Sequence, residues 1–118
     1  MEIEVNYYAV KPRRVIAGTT GSYGFESLDF KFDAKWRGLR KTITFYLEGG
    51  EEMSLAITEN SVMIPREVMA RAGTNKYTVC GYSRGKALVS LAGEIEVLRT
   101  EVPEVLQLKK EEADISGA

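Results

Sequence analysis

The sequence predicts an all-β sandwich with one short crossover helix, and three observations carry that prediction. Short runs in which apolar and polar residues alternate recur along the chain, the period of a strand with one wet face. Turn residues separate these runs, and about eight strands follow from the spacing. Only one stretch has helical periodicity. It falls between strands, where a link from one sheet to another belongs, and no long helices intervene as a parallel α/β fold would need.

Ile3, Val5 and Tyr7 alternate with Glu2, Glu4 and Asn6, so the chain opens on a strand, with Tyr7 and Tyr8 expected on opposite faces. Residues 13–17, after Lys11-Pro12, are expected to form a second. The run GTTGSYG, which holds Gly18, Gly21 and Gly24, reads as a loop. Strand character resumes over 25–32, with Leu28, Phe30 and Phe32 on one side and Asp29 and Lys31 on the other. Asp33 opens a tight segment, DAKWRGL, where its carboxylate can accept backbone N–H bonds. Residues 41–47 make a strong strand, with Ile43, Phe45 and Leu47 facing one way and Thr42, Thr44 and Tyr46 the other. Gly49-Gly50 supplies a hairpin turn into 52–57, and Glu59-Asn60 turns the chain again into 61–64.

Residues 65–72 are the predicted helix. Pro65 suits the first helical position, Glu67 and Arg71 lie near the dipole ends that favour them, and Gly73 can close it. Val68, Met69 and Ala72 give it an apolar stripe. Strands are expected again at 76–82, 86–91 and 94–98. Residues 1–100 therefore form the expected sandwich domain. Residues 101–118, charged and small, are expected to be an extended segment, a frayed helix or a tail that orders on binding.

A chain of 118 residues has the size of one domain and can hide roughly two thirds of its unfolded surface. With 16 basic and 17 acidic residues its net charge is −1. No long-range field then draws in nucleic acid or anionic lipid, and little self-repulsion opposes packing against copies of itself. The single cysteine, Cys80, excludes an internal disulfide, and its apolar neighbours place it in the core as an inert thiol. The opening MEIEVNYY lacks the basic-then-apolar order of a signal peptide. No run approaches the roughly 20 apolar residues of a bilayer span. Synthesis in the cytoplasm and no membrane partner are expected.

Histidine is absent, which removes the commonest general base, the usual nucleophile systems and imidazole zinc sites. Asp29, Asp33 and Asp114 are the only aspartates, and their spacing is not that of a calcium loop. Glu51-Glu52 and Glu111-Glu112 read as solvated pairs rather than glycosidase carboxylates. After Gly24 comes Phe25-Glu26 in place of the Lys-Ser/Thr of a phosphate loop. Lys35, Arg37, Arg40 and Lys41 surround Trp36, a pattern compatible with stacking on bases, yet Trp36 between two strong strands is better read as covering the end of the core. No catalytic, cofactor-binding or metal-ligating residue is expected, and no nucleic-acid partner. Aromatic residues favour protein contacts, so Tyr8, Tyr23 and Tyr46, with Gly18 and Gly21 of the loop, are the candidate interface residues.

The segment FKFDAKWRGLRKTITF, from Phe30 to Phe45, carries the pattern Phe-x-Phe-Asp-x-x-Trp-x-Gly-Leu-x-Lys-Thr-x-x-Phe. With Ile64, Pro65, Glu67 and Val68, and the later strand YTVCGY, it resembles the N-terminal domain of phage baseplate upper proteins and related tail and head-fibre proteins, over residues 25–98. The resemblance implies an immunoglobulin-like antiparallel β-sandwich that docks to other virion proteins and catalyses nothing. It implies Phe30, Phe32, Trp36 and Phe45 as core, Asp33 as a turn cap and Pro65 as a helix start. Many such proteins continue into a long helical or fibre region, and this chain ends soon after its last expected strand. The expected role is therefore a capsid decoration, head-fibre or tail and baseplate adaptor subunit, homo-oligomeric within the virion. The alternative, from a different class, is a carbohydrate-binding module with Trp36 or Tyr46 as stacking platform, although no motif indicates a sugar.

Overall fold

Alternation becomes burial in the first strand, β1 (Glu2–Asn6), where Ile3 and Val5 are enclosed while Glu2, Glu4 and Asn6 face water. The computed structural model describes residues 1–101. After β1 come β2 (Ala9–Lys11), β3 (Arg14–Thr19) and β4 (Ser27–Phe32), then a single 3-10 turn at Ala34–Trp36. β5 (Arg40–Tyr46), β6 (Glu52–Ala56) and β7 (Ser61–Met63) lead into a short helix, α1 (Arg66–Met69). β8 (Gly73–Ser83), β9 (Lys86–Val89) and β10 (Gly93–Leu98) complete the described chain. The tail expected over 101–118 lies, from 102 onward, outside the described residues.

Two sheets face each other, as predicted. The first has the order β2-β1-β4-β7; the second runs β3-β10-β8-β5-β6, with β9 on the far half of β8. The sandwich is not antiparallel throughout, because β1 pairs with β4, and β3 with β10, in parallel. The reason is the excursion of β3 into the second sheet. It delivers the chain to the end where β1 begins, so β4 re-enters the first sheet beside β1 and runs the same way. α1 does link the two sheets, since β7 belongs to the first and β8 to the second. It is shorter than the predicted 65–72, ending at Met69, and residues 70–72 turn the chain into β8 at Gly73. Pro65, extended at ψ 153°, precedes the helix as its N-cap rather than starting it.

The core draws Ile3, Val5, Leu28 and Phe30 from the first sheet and Ile43, Phe45, Tyr77, Val79, Ile95 and Val97 from the second. Trp36 closes it where the chain crosses from β4 to β5, and Val68 and Met69 close it beneath α1. Burying this apolar surface is the main drive to fold. Two expectations are corrected. Cys80 alternates with buried Val79 and Gly81 and is half-buried on the outward face of β8 instead of in the core. Tyr7 and Tyr8 form the β1–β2 turn, with Tyr7 at φ +56°, and both are exposed.

Asp29 fastens the end where the chain begins. Its carboxylate accepts from Ser61 Oγ at 2.7 Å and Ser27 Oγ at 3.1 Å, and faces the Met1 ammonium at 3.2 Å. The Ser61 hydroxyl, and after it the ammonium, hold its carboxyl below the usual value.

Two glycines admit the largest buried rings. A Cβ on Gly81 would lie 2.8 Å from the Trp36 ring, and one on Gly93 would lie 2.3 Å from the Tyr77 ring. The Tyr77 hydroxyl is buried with no hydrogen-bond partner among the described residues, and burial pushes its phenol far above the usual value. Gly93→Ala is expected to cost about 1–3 kcal/mol through overpacking. Tyr77→Phe is expected to leave stability unchanged or raise it by up to about 1 kcal/mol, because the removed hydroxyl was desolvated and unpaired. Urea unfolding of both variants reads these outcomes.

Candidate docking surfaces

The motif residues Asp33 and Trp36 do more than fill and cap. Asp33 caps the 3-10 turn by accepting the Lys35 N–H at 2.9 Å, and its other oxygen accepts the Tyr7 N–H. The Trp36 indole N–H donates to the Tyr7 carbonyl at 2.7 Å. Both backbone groups of Tyr7 are thus held from one segment, which fixes a residue in a left-handed conformation that a tyrosine seldom adopts. The Tyr7 and Tyr8 rings meet at 4.9 Å, and Lys35 Nζ stands 4.9 Å from the Tyr7 ring centre. Leu91 N–H donates to the Tyr8 carbonyl at 2.8 Å. Beside this turn, Ala9, Val10, Arg13, Leu91 and Ala92 line a hollow of about 210 Å³. One end of the sandwich therefore carries a braced aromatic turn next to an apolar hollow.

The opposite end carries the glycine-rich loop, which is shorter than predicted. Gly18 lies within β3, with Met69 Cε 3.6 Å from where its Cβ would be, and Gly21 N–H donates to the Met69 carbonyl at 2.9 Å. Neither Gly18 nor Gly21 is free for a partner in the way a loose loop would allow. The remainder, residues 20–26, presents Tyr23 and Phe25. Arg66 lies 5.2 Å from the Tyr23 ring centre. Phe25 is 86% exposed, and Met63, which pairs with Ser27, is exposed beside the same strand start. Sequence reasoning placed Phe25 at the start of a strand and missed it as a surface residue; the signal was its position directly after Gly24.

The outer face of the second sheet is hydroxyl-rich. Thr44 and Ser54 hydroxyls meet at 2.8 Å, and the Tyr46 hydroxyl meets Thr78 at 3.0 Å. Thr42 and Cys80 stand opposite each other in the same register. Tyr46, a candidate interface residue, is partly exposed here, and Tyr8 and Tyr23 are exposed at opposite ends of the molecule. The three tyrosines do not form one surface.

Between β4 and β5 a groove of about 340 Å³ is lined by Phe30, Phe32, Trp36, Lys31, Arg37 and Lys41, among others. Lys41 Nζ stands 5.1 Å from the Phe32 ring centre and donates to the Leu39 carbonyl at 3.0 Å. Trp36 is fully buried, so this basic-aromatic cluster offers no indole face to a base or a sugar. Phe30 and Phe45 are buried as expected, and Phe32 is half-buried against Trp36 at 5.1 Å. Among the described residues no cluster of three or more Cys, Asp or Glu side chains could hold a metal. No protein-family model matches the chain, and no curated protein sequence matches it.

The two kinds of aromatic residue are expected to respond differently to truncation. Trp36→Ala should cost about 3–5 kcal/mol, whereas Phe25→Ser should stay within about 0.5 kcal/mol. Thermal unfolding of the two variants beside the wild type checks the contrast.

Proposed function

We propose that the protein is a non-enzymatic structural subunit of a phage or prophage virion, docking onto other virion proteins as a decoration, head-fibre or tail and baseplate adaptor component. The observation that carries the docking part is the placement of large apolar side chains in water on a rigid frame. Phe25 is 86% exposed, with Tyr23 and Met63 nearby, and the Tyr7–Tyr8 turn and Leu91 stand at the other end. Exposed apolar clusters rimmed by polar residues mark interaction sites, and aromatic anchors dominate binding energy in protein interfaces. The virion part rests on the resemblance carried by the segment from Phe30 to Phe45. In this fold that segment is the crossing from β4 to β5, which braces the Tyr7–Tyr8 turn. The carbohydrate reading keeps Tyr46 but loses Trp36, whose ring is enclosed.

Particles purified by density gradient from a lysate of the producing host provide the test. The wild-type chain is expected in the particle band, and a Phe25→Glu variant is expected to remain in the soluble fraction with unchanged folding. A wild-type chain found only in the soluble fraction would contradict the proposal.

A further inference from the structure

The geometry points to β6 as a self-pairing edge through which two copies of this chain join into one continuous sheet about a two-fold axis at Ser54. Among the described residues β6 closes one side of the second sheet, opposite β3. In its pairing with β5, Ile57 N–H donates to the Lys41 carbonyl at 3.0 Å and Leu47 N–H donates to the Glu51 carbonyl at 2.8 Å. Hydrogen-bonded pairs alternate along an antiparallel ladder. The odd-numbered residues of β6 therefore bond inward to β5, and Glu52, Ser54 and Ala56 turn their N–H and C=O groups to the free edge.

The other edges carry the usual protections against such pairing. β2 and β7 have three residues each, and prolines follow closely at Pro12 and Pro65. β9 begins with Lys86. β3 starts with Arg14, its ladder with β10 is irregular at Glu96/Val97, and Gly21 just beyond it is bonded to α1. β6 has no proline, lysine or bulge, and its one charge, Glu52, stands at its start.

The occupant is a second copy because this edge is complementary to itself. Pairing Ser54 with the partner's Ser54 sets Glu52 against the partner's Ala56 and Met53 against the partner's Leu55. All three outward residues then find ladder partners. The acidic start of the strand, Glu51 and Glu52, meets the end where β5 supplies Arg40 and Lys41, which flank Thr42 and Ile57. Glu59 falls opposite the partner's Gly49, so no like charges are opposed. Met53 and Leu55, half-buried at the rim of the core, would cover each other. A contact of five residues belongs to the small class of interfaces, so a weak, concentration-dependent dimer is expected.

Sedimentation equilibrium across the micromolar range tests this, independently of whether the chain is found in virions. The wild type is expected to shift from monomer to dimer. Ser54→Pro removes an N–H that β5 does not use, and Ser54→Lys adds an edge charge; each is expected to weaken the dimer at least about tenfold while circular dichroism stays unchanged. Ser54→Cys in a Cys80→Ser background should oxidise to a covalent dimer, because Cα atoms of a hydrogen-bonded pair stand about 5.5 Å apart, within disulfide reach. A wild type that stays monomeric at every concentration, or a dimer that Ser54→Lys and Ser54→Pro leave intact, overturns the assignment.

Discussion

A buried indole must give its N–H a partner, and the way Trp36 meets that demand organises much of this molecule. Its ring fills the crossing between the sheets and presses on Gly81 of β8, where a Cβ would collide with it. Its N–H reaches the Tyr7 carbonyl. One side chain thereby couples the β4–β5 crossing, the central strand of the second sheet and the turn that ends β1. Asp33 adds the complementary bond to the Tyr7 N–H. An unmet indole N–H in the core would cost about 1–3 kcal/mol, so the crossing and the turn hold each other in place.

Much of this was legible in the residues. The alternation in 41–47 gave β5 and its inward Ile43 and Phe45 because a period of two has only one meaning when one face is wet. Asp33 as a cap and Trp36 as core were both readable from composition around a tight segment. The parallel pairing of β1 with β4 was not, because alternation says which face is buried and nothing about direction. Tyr7 misled for a local reason: it continues the alternation of Ile3 and Val5, yet the chain turns at it with a positive φ. That turn is held by groups from residues 33 and 36, a long-range contact that no window around Tyr7 contains. Cys80 misled because Val79 and Gly81 flank it, and an apolar window does not say which of its side chains turns outward.

The surfaces follow the same logic. A sandwich of this size shields one core and leaves its strand ends, loops and sheet edges to water. Here exposed apolar side chains gather at the two ends, around Phe25 and around the Tyr7–Tyr8 turn, and others, Ile16 and Val89 among them, stand on the second sheet beside its paired hydroxyls. Rigid backing makes such ends useful for docking, since little conformational entropy remains to be lost on contact. The Tyr7–Tyr8 turn has three backbone groups tied to other segments, and the Phe25 loop is tied through Thr20, Gly21 and Glu26.

Amide hydrogen exchange of a Trp36→Phe variant, followed by NMR, tests the organising role of the indole most directly. Phenylalanine keeps an aromatic ring in the crossing and removes the bond to Tyr7. The amides of Tyr7 and Leu91 are expected to lose protection relative to the wild type by more than the amide of Val79 in β8 does. Equal loss at all three, or no loss at Tyr7 and Leu91, would contradict that role.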